Sequence, residues 1–183
     1  MSTKELLQGG FAGIKRSLDR TLNTLTPAEL KWQPKPDANS IQIILLHMAR
    51  LEDSNVQARL QQKPELWNSE NWCQKLNRDA KDNGGHYTAE QVAAFSVSDT
   101  GTLLAYFEAV RGKTLEYLKA LTEEDLERKF TMPAFGPPPA AGTPPRPPME
   151  LTVAAMLLNT VTHLFQHVGE ISYLRGLQRG LDK

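Results

Sequence analysis

The chain has 183 residues, 40% of them apolar, which is enough to bury a substantial core without disulfides. Its 21 basic and 21 acidic side chains give a formal net charge of zero and are mixed along the chain, a distribution that excludes a nucleic-acid partner. No apolar secretion leader opens it, no apolar run nears the roughly 20 residues of a membrane span, and its one cysteine, Cys73, can form neither an intrachain disulfide nor a thiolate metal cluster, so a cytoplasmic protein without a membrane partner is expected.

In chain order, residues 3–25 place Leu6, Phe11, Ile14, Leu18, Leu22 and Leu25 at mostly three- and four-residue steps, the period of a core-facing helix. Thr26-Pro-Ala-Glu-Leu30 has the form of a cap followed by proline at the first helical position, which predicts a short helical turn. Ser40 is the N-cap of a second long helix running to about residue 61, with Ile41-Gln-Ile-Ile-Leu-Leu-His-Met-Ala49 apolar on nearly every side and therefore packed on several faces. A long excursion follows, with short helical pieces near residues 70–76 and from Thr88, where Thr-Ala-Glu-Gln91 fits a capping box; Asp82-Asn-Gly-Gly85 breaks the chain between them. The third long helix spans residues 99–121 with Leu103, Leu104, Phe107, Val110, Leu115 and Leu118 inward, and Thr122-Glu-Glu-Asp-Leu126 caps a short helix after it. Residues 133–148 are too rich in proline and glycine for helix or central strand and are expected to form a semi-rigid strap. A fourth helix covers residues 149–177, and no sheet of consequence is expected. The fold class is all-α: a four-helix bundle of one domain, residues 1–183, with a long connection between helices two and three and a proline-rich strap before helix four.

The fourth helix contains His163-Leu-Phe-Gln-His167, and a four-residue step turns a helix only about 40°. Two imidazoles at that spacing point the same way and can share one metal ion, with His47 of the second helix as the third ligand. His163 and His167 share a strip with Met156, Thr160, Ile171 and Leu174, so they look inward, and all three histidines are expected to be buried. The bland alternative for each is a hydrogen-bonded core histidine. His86 reads as a loop residue, Cys73 as a small packed side chain, and Glu52 and Asp53 as facing solvent or a neighbouring helix rather than the ion. Glu170 lies about 20° from the His163 direction, within reach of a ligand's outer nitrogen or of a water at the ion, and is the candidate catalytic residue; its bland alternative is a solvated or ion-paired glutamate. Trp67, Trp72, His86 and Tyr87 of the excursion are candidates for an apolar mouth, against ordinary packing.

Leu22-Asn-Thr-Leu-Thr-Pro-Ala-Glu-Leu30, Ser40-Ile-Gln-Ile-Ile-Leu-Leu-His47-Met-Ala-Arg-Leu-Glu-Asp53 and His163-Leu-Phe-Gln-His167-Val-Gly-Glu-Ile-Ser-Tyr-Leu-Arg-Gly-Leu177 together resemble the DinB/YfiT-like superfamily of proposed metalloenzymes. The resemblance implies that His47, His163 and His167 bind a divalent metal ion, with zinc or nickel first, and that the chain forms a homodimer. Where the superfamily commonly carries Arg and Gln after its last histidine this chain has Val168 and Glu170, so the roles of that Arg and amide are absent or altered here. Because relatives include enzymes that use a low-molecular-weight thiol, the resemblance favours a metal-dependent transferase using such a thiol on a small-molecule substrate, ahead of a hydrolase. The alternative is a non-catalytic dimeric metal-binding or stress-related interaction protein, or a degenerate relative without metal. The presence of an open coordination position separates these readings.

Overall fold

The computed structural model describes residues 1–134 and 142–180. Ser2 caps α1 (Thr3–Leu22) in a reciprocal box with Glu5, and the helix buries Leu7, Phe11, Ile14 and Leu18. Leu6, expected on that face, is 54% exposed, because its five-residue step from Phe11 turns it well away from the buried stripe that Leu7 joins. The helix also ends earlier than its apolar pattern suggests. Thr24 takes a left-handed conformation, φ 67°, and Thr26 with Glu29 caps α2 (Pro27–Lys31). Arg179, at the far end of the chain, holds this corner by donating to the Thr24 hydroxyl and carbonyl, each at 2.7 Å, and to Glu29 at 2.8 Å.

Helix α3 (Ile41–Asp53), capped by Ser40, is buried along almost its whole length; only His47 and Leu51 keep partial exposure. It continues without a break into a π-helical stretch, Ser54–Leu60, whose wider turn nothing in the residue pattern signals. The excursion carries α4 (Leu66–Ser69), α5 (Trp72–Lys75) and α6 (Ala89–Ala93), the first of them beyond the two expected pieces. Asp99 caps α7 (Thr100–Ala120), and Thr122 caps α8 (Glu123–Glu127). On α7 Leu103, Phe107, Val110 and Leu118 are buried as expected, whereas Leu115 faces out.

The last helix, α9, spans Val153–Arg179. Residues 149–152, expected as its first turn, instead form β2 (Met149–Thr152), antiparallel to β1 (Lys129–Met132) with Lys129 opposite Thr152 and Met132 opposite Met149. The side chain of Thr152 accepts from the Ala155 amide and so starts the helix there, leaving the preceding backbone free to pair with β1. The ends of the proline-rich segment thus join a two-stranded ribbon; residues 135–141 of the expected strap lie outside the described residues.

The structure is mostly helical. Helix α3 packs on α7 and α9, and α1 packs on α9 and α7, around one shared apolar cluster. A buried ion pair fastens three of these helices: Arg111 of α7 holds Glu52 of α3 through two bonds of 2.8 Å and donates to the Phe11 carbonyl of α1, also at 2.8 Å. Among the described residues no helix is long and apolar enough to cross a membrane.

Candidate metal centre

Helix α3 brings His47, and α9 brings His163 and His167 one turn apart, to the seam where these helices pack. The Nε2 of His163 lies 3.1 Å from Nε2 of His47 and 2.9 Å from Nε2 of His167. One nitrogen from each ring falls within a 4.8 Å group that could hold a metal ion, and among the described residues no fourth His, Cys, Asp or Glu donor joins it. The rings are steeply inclined to one another, with centroids 4.7 to 5.4 Å apart, so they converge edge-on instead of stacking. The expectation of full burial is corrected: all three histidines are half-buried. On the helical wheel they look inward, but they look towards each other along a seam whose edge meets solvent.

The outer nitrogens decide the chemistry of the inner ones. His47 Nδ1 lies 3.0 Å from the Gly84 carbonyl, and His167 Nδ1 lies 2.8 Å from a carboxylate oxygen of Glu170. A carbonyl and a carboxylate can only accept, so each Nδ1 carries the proton, and each Nε2 of a neutral ring presents its electron pair. Two electron pairs therefore converge on one point beside His163 Nε2, which has at most one proton to share. Such a group is unsatisfied by itself and suits a cation bound by imidazole nitrogen.

Two of the rings, His47 and His163, are also biased towards the neutral form that binds metal. Burial pushes His47 down to about 4, aided by the neighbouring His167 and opposed by the Gly84 carbonyl, and burial likewise lowers His163.

The other sequence candidates are placed apart from this group. Asp53 does face a neighbouring element: it accepts from the Leu66 and Trp67 amides at 3.0 and 2.9 Å and from the Tyr106 hydroxyl at 2.8 Å. Trp67 is fully buried, so its ring lines no mouth, and it packs with the partly exposed Trp72 around Tyr106. His86, exposed at φ 58°, and Tyr87 line a cleft of about 600 Å³ together with Arg78, Asp82 and Gly85. Cys73 is buried.

Sequence reasoning missed three contributors. Arg50 is 6% exposed, ion-paired to Glu65 at 2.7 Å and stacked on the Trp67 ring. Its signal was available, since a charged side chain in a helix buried on all sides must find partners. Asp82 and Gly84 had a weaker signal, two turn-forming residues in the Asp-Asn-Gly-Gly break; that this break would meet His47 depends on long-range packing.

A mostly helical chain whose packed helices converge three histidines at one seam defines a class of helical protein with a metal-compatible three-histidine cluster. The family model described as the DinB superfamily matches residues 13–171, and the chain belongs to that superfamily. It is similar to a crystal structure described as the conserved protein of a locus from Enterococcus faecalis, with 25% identity, a TM-score of 0.76 and 97% of each chain covered. No curated protein matches it significantly.

Proposed function

We propose that this chain is a divalent-metal-dependent enzyme built as one DinB-type four-helix-bundle domain, in which His47, His163 and His167 hold zinc or nickel. The observation that carries the reading is the convergence of three Nε2 atoms, those of His47 and His167 lying 3.1 and 2.9 Å from His163 Nε2. A bound divalent ion supplies Lewis acidity, which makes a water molecule or a thiol acidic near neutral pH. Three side-chain donors, with no fourth among the described residues, leave a position for substrate, and half-burial gives a small molecule access. Glu170 accepts a hydrogen bond from His167 Nδ1, keeps that ring aimed, and is the candidate for handling a proton at the site.

The proposed reaction class is transfer involving a low-molecular-weight thiol, with hydrolysis as the competing class on the same centre. Zinc- and nickel-loaded protein screened against electrophiles with a thiol, and against esters and amides without one, tests both. Turnover that requires metal and disappears in His163→Ala supports the enzyme. Failure of every substrate in both panels, with metal bound, favours the second reading.

That second reading is a dimeric, non-catalytic metal-binding or interaction protein, and one observation favours it. Residues 153–174 of α9 contain a single acidic or basic side chain besides the histidines, Glu170, yet Leu158, Phe165 and Tyr173 are exposed on its outer side, with Leu177 just beyond. Large apolar side chains on an outer face with so little charge favour a covering partner, and a second copy of the chain, equally low in charge there, would cover this one. Light scattering on wild type and on Phe165→Glu/Tyr173→Glu reads this directly: a dimer that becomes a monomer supports it, and a monomeric wild type removes it.

A further inference from the structure

The loop that meets His47 is held more firmly than a plain connection requires. In Asp82-Asn83-Gly84-Gly85 the Gly84 amide donates to Asp82 Oδ1 and the Gly85 amide to Asn83 Oδ1, each at 2.9 Å, two successive turns closed by side chains. Gly84 has φ +77°, and a Cβ there would come within 2.6 Å of the Arg50 side chain; a Cβ on Gly85 would lie 3.0 Å from His47 Nδ1. Only glycine allows the backbone this close to α3.

Asp82 is the centre of the arrangement. Besides the Gly84 amide, its carboxylate accepts from the Tyr87 hydroxyl at 2.8 Å and from Arg78 at 2.7 Å. Its carbonyl accepts from Nε of the buried Arg50 at 3.0 Å. The loop is thereby tied to α3 on one side and to the rest of the excursion on the other, and its Gly84 carbonyl is delivered to His47 Nδ1.

We propose that Asp82 is a positioning residue for the three-histidine cluster: by fixing Gly84 it keeps the Nδ1 proton of His47 on the Gly84 carbonyl and the Nε2 electron pair turned towards His163. The physical basis is that the partner of one ring nitrogen sets the protonation of the other. With the loop released, His47 loses its only fixed acceptor at Nδ1, and the ring is free to exchange tautomers and turn. The consequence for metal rests on the metal-centre reading above; the consequence for the tautomer rests on the loop geometry alone.

The test is long-range 15N–1H correlation NMR on metal-free, histidine-labelled protein, with the His47 signal assigned by its loss in His47→Gln, and zinc affinity measured on the same samples by chelator competition. Wild type shows His47 protonated at Nδ1. Asp82→Ala shifts it to a tautomer mixture and weakens zinc binding by about 10- to 100-fold. Asp82→Asn, which keeps an oxygen acceptor for Gly84 and Tyr87, retains the wild-type tautomer and affinity. Arg78→Ala/Tyr87→Phe, which strips two of the partners holding the Asp82 carboxylate, carries the same comparison if Asp82→Ala does not fold. A His47 signature that stays Nδ1-protonated in Asp82→Ala, or in Arg78→Ala/Tyr87→Phe where Asp82→Ala does not fold, overturns the proposal, whatever their stability. If wild type takes up no zinc, the metal reading fails and the tautomer comparison alone decides the role of Asp82.

Discussion

Helix α3 carries two polar groups, His47 and the Glu52-Asp53 pair, that meet their neighbours in opposite ways. Glu52 and Asp53 are both fully buried and fully answered, Glu52 by Arg111 and Asp53 by two backbone amides, Tyr106 and the nearby Arg50. His47 is half-buried and faces two more imidazoles, a set of side chains with more nitrogen acceptors at its centre than one shared proton satisfies. The first group is complete within the protein and acts as a fastener. The second is not balanced among its own side chains, and that imbalance, more than the mere presence of histidines, makes it compatible with a metal ion.

Breaking the fastener should have the larger effect on folding. Arg111→Ala leaves Glu52 buried without a partner and should lower stability by about 3–5 kcal/mol, whereas Glu52→Leu/Arg111→Met recovers a large part of the loss. Urea unfolding of the two variants checks this, and equal instability of both would mean that packing, not the ion pair, holds the three helices there.

The histidine site should reveal itself through pH. His47 titrates near 4 in the folded chain and near 6.5 when unfolded, so between those values the unfolded state binds more protons and stability must fall as pH falls. The loss approaches about 3 kcal/mol at pH 4 for metal-free protein. Denaturation curves at pH 7, 5.5 and 4.5 should show this slope in wild type and a shallower one in His47→Gln; identical slopes would contradict the assignment.

The smallest effect sharpens the comparison from the outside. Glu170 is more than half exposed, so Glu170→Gln should leave stability nearly unchanged while weakening zinc binding about tenfold through His167. A stability loss with unchanged affinity would place Glu170 with the fasteners instead.

The legible parts of this molecule were those governed by local spacing. The caps at Thr26, Ser40, Thr88, Asp99 and Thr122 each accept the amide three residues on, and the one-turn step between His163 and His167, with Glu170 beside them, could be read from a helical wheel. Parts decided by distant partners were not legible. Glu52 finds Arg111 and Asp53 finds Tyr106 across more than fifty residues of sequence, and Gly84 reaches His47 because the excursion folds back onto α3. Residues 149–152 alternate apolar and polar side chains over a stretch too short to stand out from the helix that follows, and the Thr152 cap and pairing with β1 decide their conformation. The π-helical stretch after Asp53 has no residue signature, and the structure offers no local cause for its wider winding.

The most direct test of the metal centre is metal content by mass spectrometry on tag-free protein purified without chelator or added metal, comparing wild type with His163→Ala and His167→Ala. About one zinc or nickel per chain, absent from both variants, is the predicted result. No stoichiometric metal in wild type, even after reconstitution with divalent ions, would contradict it.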